Sequence, residues 1–96
     1  MITLNQIKKI LTSNKSYLQE KYFVEEIGIF GSFSRGEQTK RSDIDLLVSL
    51  KKPIGLEFVD LSYELERLLK NKVDLVSKGA VKQRLMNEIA KDIIYV

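Results

Sequence analysis

Asp43 and Asp45 stand one residue apart in Ser42-Asp43-Ile44-Asp45-Leu46-Leu47-Val48, a stretch whose other residues spell a strand. Side chains alternate faces along a strand. Both carboxylates therefore point one way, while Ile44, Leu46 and Val48 point the other, toward a core. Aspartate is depleted in strands. Two on one face, roughly 6–7 Å apart by strand rise, repel each other unless something positive sits between them. A third acid, Asp74, is flanked by Val73 and Leu75 in a later apolar run. If the two strands pair, three carboxylates converge. The chain has no histidine and no cysteine, so such a site offers oxygen ligands only. Mg²⁺ prefers that set and keeps waters and substrate phosphates beside it. Two such ions about 3.5–4 Å apart can clamp the attacking and leaving oxygens of a phosphoryl displacement. Taken singly, the acids have plainer readings: Asp43 as a turn cap, and Asp45 and Asp74 as residues lining a solvated sheet face.

Ten residues upstream of Asp43 lies Gly31-Ser32, directly after the apolar run Ile27-Gly28-Ile29-Phe30. Gly31 and Gly36 have the spacing of a P-loop, but Glu37-Gln38 follows where Lys-Ser/Thr is required, which rejects that motif. Another phosphate grip is open. Gly31 has no side chain to keep a ligand from the backbone. A helix starting at Ser32 or Phe33 would aim free N–H groups at an anion, and the Ser32 hydroxyl adds a donor. Arg35 has two readings, reaching the terminal phosphates or pairing with a nearby acid. By itself a Gly-Ser pair is also an ordinary strand-ending turn.

The elements that position these residues are legible. Thr3 and Gln6 form a capping box, and Leu4, Ile7, Ile10-Leu11 and Leu18 recur at helical spacing, predicting a helix over about residues 4–21. A strand is expected from Phe23-Val24 to Phe30, a helical turn over Ser32–Gly36, and a polar loop from Glu37 to Ser42. Ile44 to Leu50 is the strongest strand signal. Phe58, Leu61, Leu65 and Leu68-Leu69 stripe a helix from Glu57 that Asn71 stops. Val73 to Val76 reads as a third strand. Gly79 opens a last helix with Val81, Leu85 and Ile89 on one face, and the tail from Asp92 to Val96 is apolar. This order predicts an α/β (α+β) domain, a small mixed β-sheet with flanking helices.

Composition narrows the function classes. Ninety-six residues make one domain, 1–96, with no room for a second one to hold a substrate. Missing cysteine excludes disulfides and thiolate metal sites, and missing histidine excludes imidazole zinc sites and Ser-His catalysis. The opening MITLNQIKKI lacks a secretory apolar segment, and no run reaches the roughly 18 apolar residues of a membrane span. A cytoplasmic protein without membrane contact is expected. Sixteen basic and thirteen acidic residues are scattered, against the clustered basic face that nucleic-acid binding requires.

The pattern Gly31-Ser32, ten residues, Asp43-Ile44-Asp45, then Leu46-Leu47-Val48, resembles the signature of the DNA polymerase β-type nucleotidyltransferase superfamily, with its palm-like core. The whole chain is similar to the minimal nucleotidyltransferases (MNT proteins). The resemblance implies that Gly31 and Ser32 hold nucleotide phosphates, and that Asp43, Asp45 and Asp74 bind Mg²⁺, two ions in all. It implies ATP as substrate and, as partner in a hetero-oligomer, a HEPN-type RNase toxin, silenced when AMP is moved onto one of its tyrosines. Phe33 and Ser34 stand where many relatives have Arg and Ala. The competing expectation is a catalytically idle antitoxin that neutralises its toxin by binding alone, and a third is a regulatory nucleic-acid binder.

Overall fold

The computed structural model describes residues 1–96. The chain runs α1 (Leu4–Tyr22), β1 (Val24–Phe30), α2 (Ser32–Arg35), β2 (Ile44–Leu50), α3 (Glu57–Leu69), β3 (Val73–Ser77), a 3₁₀ turn (Lys78–Ala80), α4 (Gln83–Ile89) and β4 (Ile94–Tyr95). The capping box forms: Gln6 N–H donates to the Thr3 hydroxyl, and Thr3 N–H donates to Gln6 Oε1. Phe23, at φ 60°, turns the chain out of α1 and directly into β1.

The sheet order is β3-β2-β1-β4. β1 pairs antiparallel with β2 and with β4, while β2 and β3 run parallel. The parallel pair follows from its connection, since α3 carries the chain back across one face before β3 begins. The expected mixed sheet with flanking helices is what forms.

Strand alternation sorts the side chains as the sequence requires. Ile27 and Ile29 of β1 and Ile44, Leu46 and Val48 of β2 are buried in one cluster with Ile7, Leu11 and Leu18 of α1 and Leu61, Leu65 and Leu69 of α3. Burying each such side chain contributes about 1.5–3 kcal/mol. The opposite face is thinly covered. Leu47 and Ile89 are the two buried apolar residues outside that cluster. Gly28 lets Ile93 come against the sheet there; a Cβ on Gly28 would lie 2.6 Å from the Ile93 side chain.

The last helix differs from expectation. Lys78–Ala80 form a 3₁₀ turn, Val81 and Lys82 are extended, and α4 begins only at Gln83. Leu85 is 51 % exposed, and Ile89 alone of the expected apolar face is buried. The chain needs residues 78–82 to leave the end of β3 and reach the sheet's second face. That consumes the turn the periodicity had assigned to a helix.

Candidate active site

β2 and β3 pair in register so that Asp45 stands directly opposite Asp74. Both acids lie on the face away from the main core. Asp43 immediately precedes β2 and is exposed, as is Asp74, whereas Asp45 is half-buried. The entry to β2 is fixed by two contacts: Ile44 N–H donates to the Lys72 carbonyl at 2.9 Å, and Asn71 Nδ2 donates to the Ser42 carbonyl at 3.3 Å. The sequence suggested Asn71 only as a helix stop, but it also ties the approach to Asp43 to the approach to Asp74. Glu66 adds a third constraint by accepting the Val73 N–H at 3.0 Å.

Gly31 reaches the acids from the other side. Phe30 is the register partner of Asp45 across β1–β2, so the next residue turns directly over that carboxylate. Gly31 takes φ 75° and ψ −151°, a region essentially reserved for glycine. A Cβ on it would overlap Asp45 Oδ2 and lie 2.9 Å from Cγ. Ser32 to Arg35 then form one short helical turn. The Gly31 carbonyl accepts from Arg35 N–H at 3.2 Å and from Ser34 Oγ at 2.9 Å, and no backbone acceptor takes the N–H groups of Ser32, Phe33 or Ser34. Phe33 is buried and anchors the turn in the main core. Phe33→Ala is expected to cost about 3–4 kcal/mol by loss of contact and cavity formation, read as a lower urea midpoint at unchanged m-value.

The electrostatics follow from this crowding. The Asp45 carboxyl is pushed up from 3.8 to about 6, first by burial, then by the charges of Asp74 and Asp43, with the Arg35 guanidinium opposing. Arg35 donates from Nε to Glu37 Oε1 at 2.8 Å and from Nη1 to Asp92 Oδ2 at 3.4 Å. These contacts, Glu37 first, hold its guanidinium more firmly protonated than usual. Glu37 and Asp92 as its holders were not legible in the sequence, because one is a loop residue and the other arrives from the far end of the chain.

The fold thus brings Asp45, Asp74 and Gly31 into direct juxtaposition, with Asp43, Ser32 and Arg35 around them. The donor set suits a hard divalent cation: it is oxygen-only, and its mutual repulsion is what a cation relieves. No three acidic side chains are drawn together into a finished coordination shell.

A glycine-serine turn set over opposed carboxylates of adjacent strands puts free backbone N–H groups beside oxygen ligands, a combination suited to a cation-bound phosphate. The profile of the nucleotidyltransferase domain family matches residues 5–96. The protein adenylyltransferase MntA of Thermococcus cleftensis is 42 % identical over 97 residues, covering 100 % of this chain and 98 % of that protein. A relative from Methanocaldococcus jannaschii, provisionally named for the same activity, is 49 % identical over 98 residues with both chains fully covered. A crystal structure of a toxin-antitoxin with AMP-PNP superposes at a TM-score of 0.72 with 27 % identity, over 95 % of this chain and 69 % of that one. The chain belongs to the nucleotidyltransferase domain family, among its minimal members, and is an enzyme of the protein adenylyltransferase type.

Proposed function

We propose that the protein moves AMP from ATP to a tyrosine hydroxyl of a HEPN-type RNase toxin and so acts as that toxin's antitoxin within a hetero-oligomer. The observation that carries the chemistry is the register pairing of Asp45 with Asp74 beneath the Gly31 turn. Support for the transfer chemistry comes from the relative named protein adenylyltransferase MntA, and support for the partner from similarity to toxin-antitoxin crystal structures that carry the MntA name. One of these, an MntA-HpeT complex with a Y104A mutation, superposes at a TM-score of 0.71 with 26 % identity, over 100 % of this chain and 72 % of that one.

In this reading the open backbone at Gly31 and the Ser32 hydroxyl bind the β- and γ-phosphates. Arg35, on the same side as Asp45, is paired with Glu37 and Asp92 and reaches the terminal phosphates only by exchanging one of those contacts for them. Asp43, Asp45 and Asp74 would hold two Mg²⁺, which would neutralise the phosphate charge when bound. The acceptor oxygen attacks the α-phosphorus. The bond from that phosphorus to the β-bridging oxygen breaks, pyrophosphate leaves, and the hydroxyl proton passes to a carboxylate of the cluster. Positioning and charge neutralisation supply most of the rate, as in other phosphoryl-type transfers.

The test is incubation with α-labelled ATP, Mg²⁺ and a co-expressed HEPN protein, followed by mass spectrometry of that protein. A gain matching AMP on tyrosine, lost on chelation and in Asp43→Asn, is the expected result. Toxin neutralised with no mass gain would make the protein a binder and refute transfer.

A further inference from the structure

The acids occupy the starts of β2 and β3. At the other ends of the same two strands lies a groove of about 960 Å³, formed where the chain leaves β2 through Lys51-Lys52-Pro53 and leaves β3 through Ser77-Lys78. It serves neither the acids nor the Gly31 turn. Its apolar surface comes from Leu50, Ile54, Phe58, Leu75, Val76 and Ala80, its charge from Lys51, Lys52 and Lys78, and no acidic residue lines it.

Two further features decide what could fill it. β3 is an edge strand. Ile44 N–H bonds to the Lys72 carbonyl, so in a parallel ladder residues 72, 74 and 76 turn their main-chain groups toward β2, while Val73, Leu75 and Ser77 turn theirs outward. Glu66 takes the Val73 N–H. Leu75 and Ser77, which line the groove, therefore present their main chain at an open edge. The lysines are also lightly engaged. Lys78 Nζ lies 3.6 Å from Glu26, Lys52 Nζ lies 3.9 Å above the Phe23 ring, and neither Lys51 nor Lys52 joins an ion pair.

We infer that this groove docks an extended segment of the protein acceptor in which acidic and apolar side chains alternate, adding as a strand to β3. The inference rests on the reading of the enzyme as one that modifies a protein. Strand addition supplies main-chain hydrogen bonds at Leu75 and Ser77. Period-two alternation sends apolar side chains into the groove floor and acidic ones toward the lysines. The geometry links docking to chemistry. Asp74 lies on the same edge strand, roughly 10 Å from Ser77 by strand rise, so a docked segment leads directly toward the carboxylates. Single-stranded RNA fits less well: the groove has an apolar floor, and Lys52 covers the Phe23 ring instead of leaving it open for base stacking.

The test uses the full chain and a short fluorescein-labelled peptide in which glutamate alternates with valine and threonine. Its counterpart has lysine for glutamate, and a labelled oligouridylate serves as a third probe. Expected is saturable, salt-sensitive binding of the acidic peptide alone. It should weaken about tenfold or more in Lys51→Glu/Lys52→Glu and stay unchanged in Lys8→Glu/Lys9→Glu, which makes the same net charge change on α1. Circular dichroism and thermal melting confirm folding of both variants, and Lys51→Gln/Lys78→Gln, which leaves Lys52 on Phe23, should weaken binding in the same direction. Equal binding by all variants, absence of saturable binding, or oligouridylate displacing the peptide each overturns the inference. No step of the assay needs ATP or transfer. A failure of nucleotidyl transfer would thus leave the docking result standing, and the converse.

Discussion

Asp45→Asn is expected to lower nucleotidyl transfer by about 10³-fold or more while making the metal-free protein more stable at neutral pH. Asparagine keeps the shape of the side chain, so the register with Asp74 and the fit beneath Gly31 survive. What goes is a negative charge that the fold confines against two others. For catalysis that charge is the useful element, and removing groups that stabilise charge in the transition state typically costs this much or more. For folding it is a burden. The carboxyl binds its proton more tightly in the folded chain, at about 6, than at its ordinary 3.8. The native state is therefore fully stable in this respect below about pH 4 and loses stability as pH rises through 4 to 6. Discounted for solvent on its open side, the loss is about 1 kcal/mol at neutral pH. Urea titrations in chelator should show the variant more stable than wild type by that amount at pH 7.5, with the gap closing near pH 4. Mg²⁺ should raise the wild-type melting temperature and leave the variant little changed. A variant that transfers AMP normally, or a stability gap that grows toward low pH, would refute the account.

Gly31→Ala is the second large effect, and it separates two causes. The added methyl group meets a backbone conformation costing about 1–3 kcal/mol for a non-glycine residue, and it also collides with the Asp45 carboxylate. We expect a loss of about 2–4 kcal/mol in stability and on the order of 10²-fold in transfer from the displaced acid. Gly36→Ala provides the comparison. Gly36 also has a positive φ, 71°, but a Cβ there would meet nothing within 4 Å. Alanine at 36 should cost only about 1 kcal/mol and leave activity nearly intact. The double variant Gly31→Ala/Asp45→Ala should recover part of the lost stability, because the collision is gone; strict additivity in that cycle would show that Asp45 and Gly31 do not couple.

Most of the sheet could be read from spacing alone because its strands bury one face. Ile44, Leu46 and Val48 alternate with Asp45, Leu47 and Ser49, so the side on which Asp45 lies is set by the residues that must be buried. The helices α1 and α3 declared themselves by 3.6-residue periodicity, and the capping box at Thr3 marked where the first begins. The end of the chain was less legible. Val81, Leu85 and Ile89 have helical spacing, but the route from β3 to the second face takes the residues before Gln83 out of the helix. Tyr63, a member of α3 in sequence, is 65 % exposed and Leu56 before it 86 % exposed. Periodicity says which residues share a face, not whether another element covers it.

By itself the sequence determined the vocabulary of the candidate site: carboxylates without histidine or cysteine, a glycine-serine turn ten residues before the first acid, and strands able to carry them. Those are local properties, fixed by residue type and by the period of the backbone. Only the tertiary structure decided that Asp45 meets Asp74 and not a neighbour two residues along, that Gly31 rather than another glycine closes over Asp45, and that Arg35 is held by Glu37 and Asp92. Each depends on pairing register and on contacts between distant segments. A shift of one residue between β2 and β3 would send the two acids to opposite faces, and only packing of the whole apolar face against α1 and α3 forbids it.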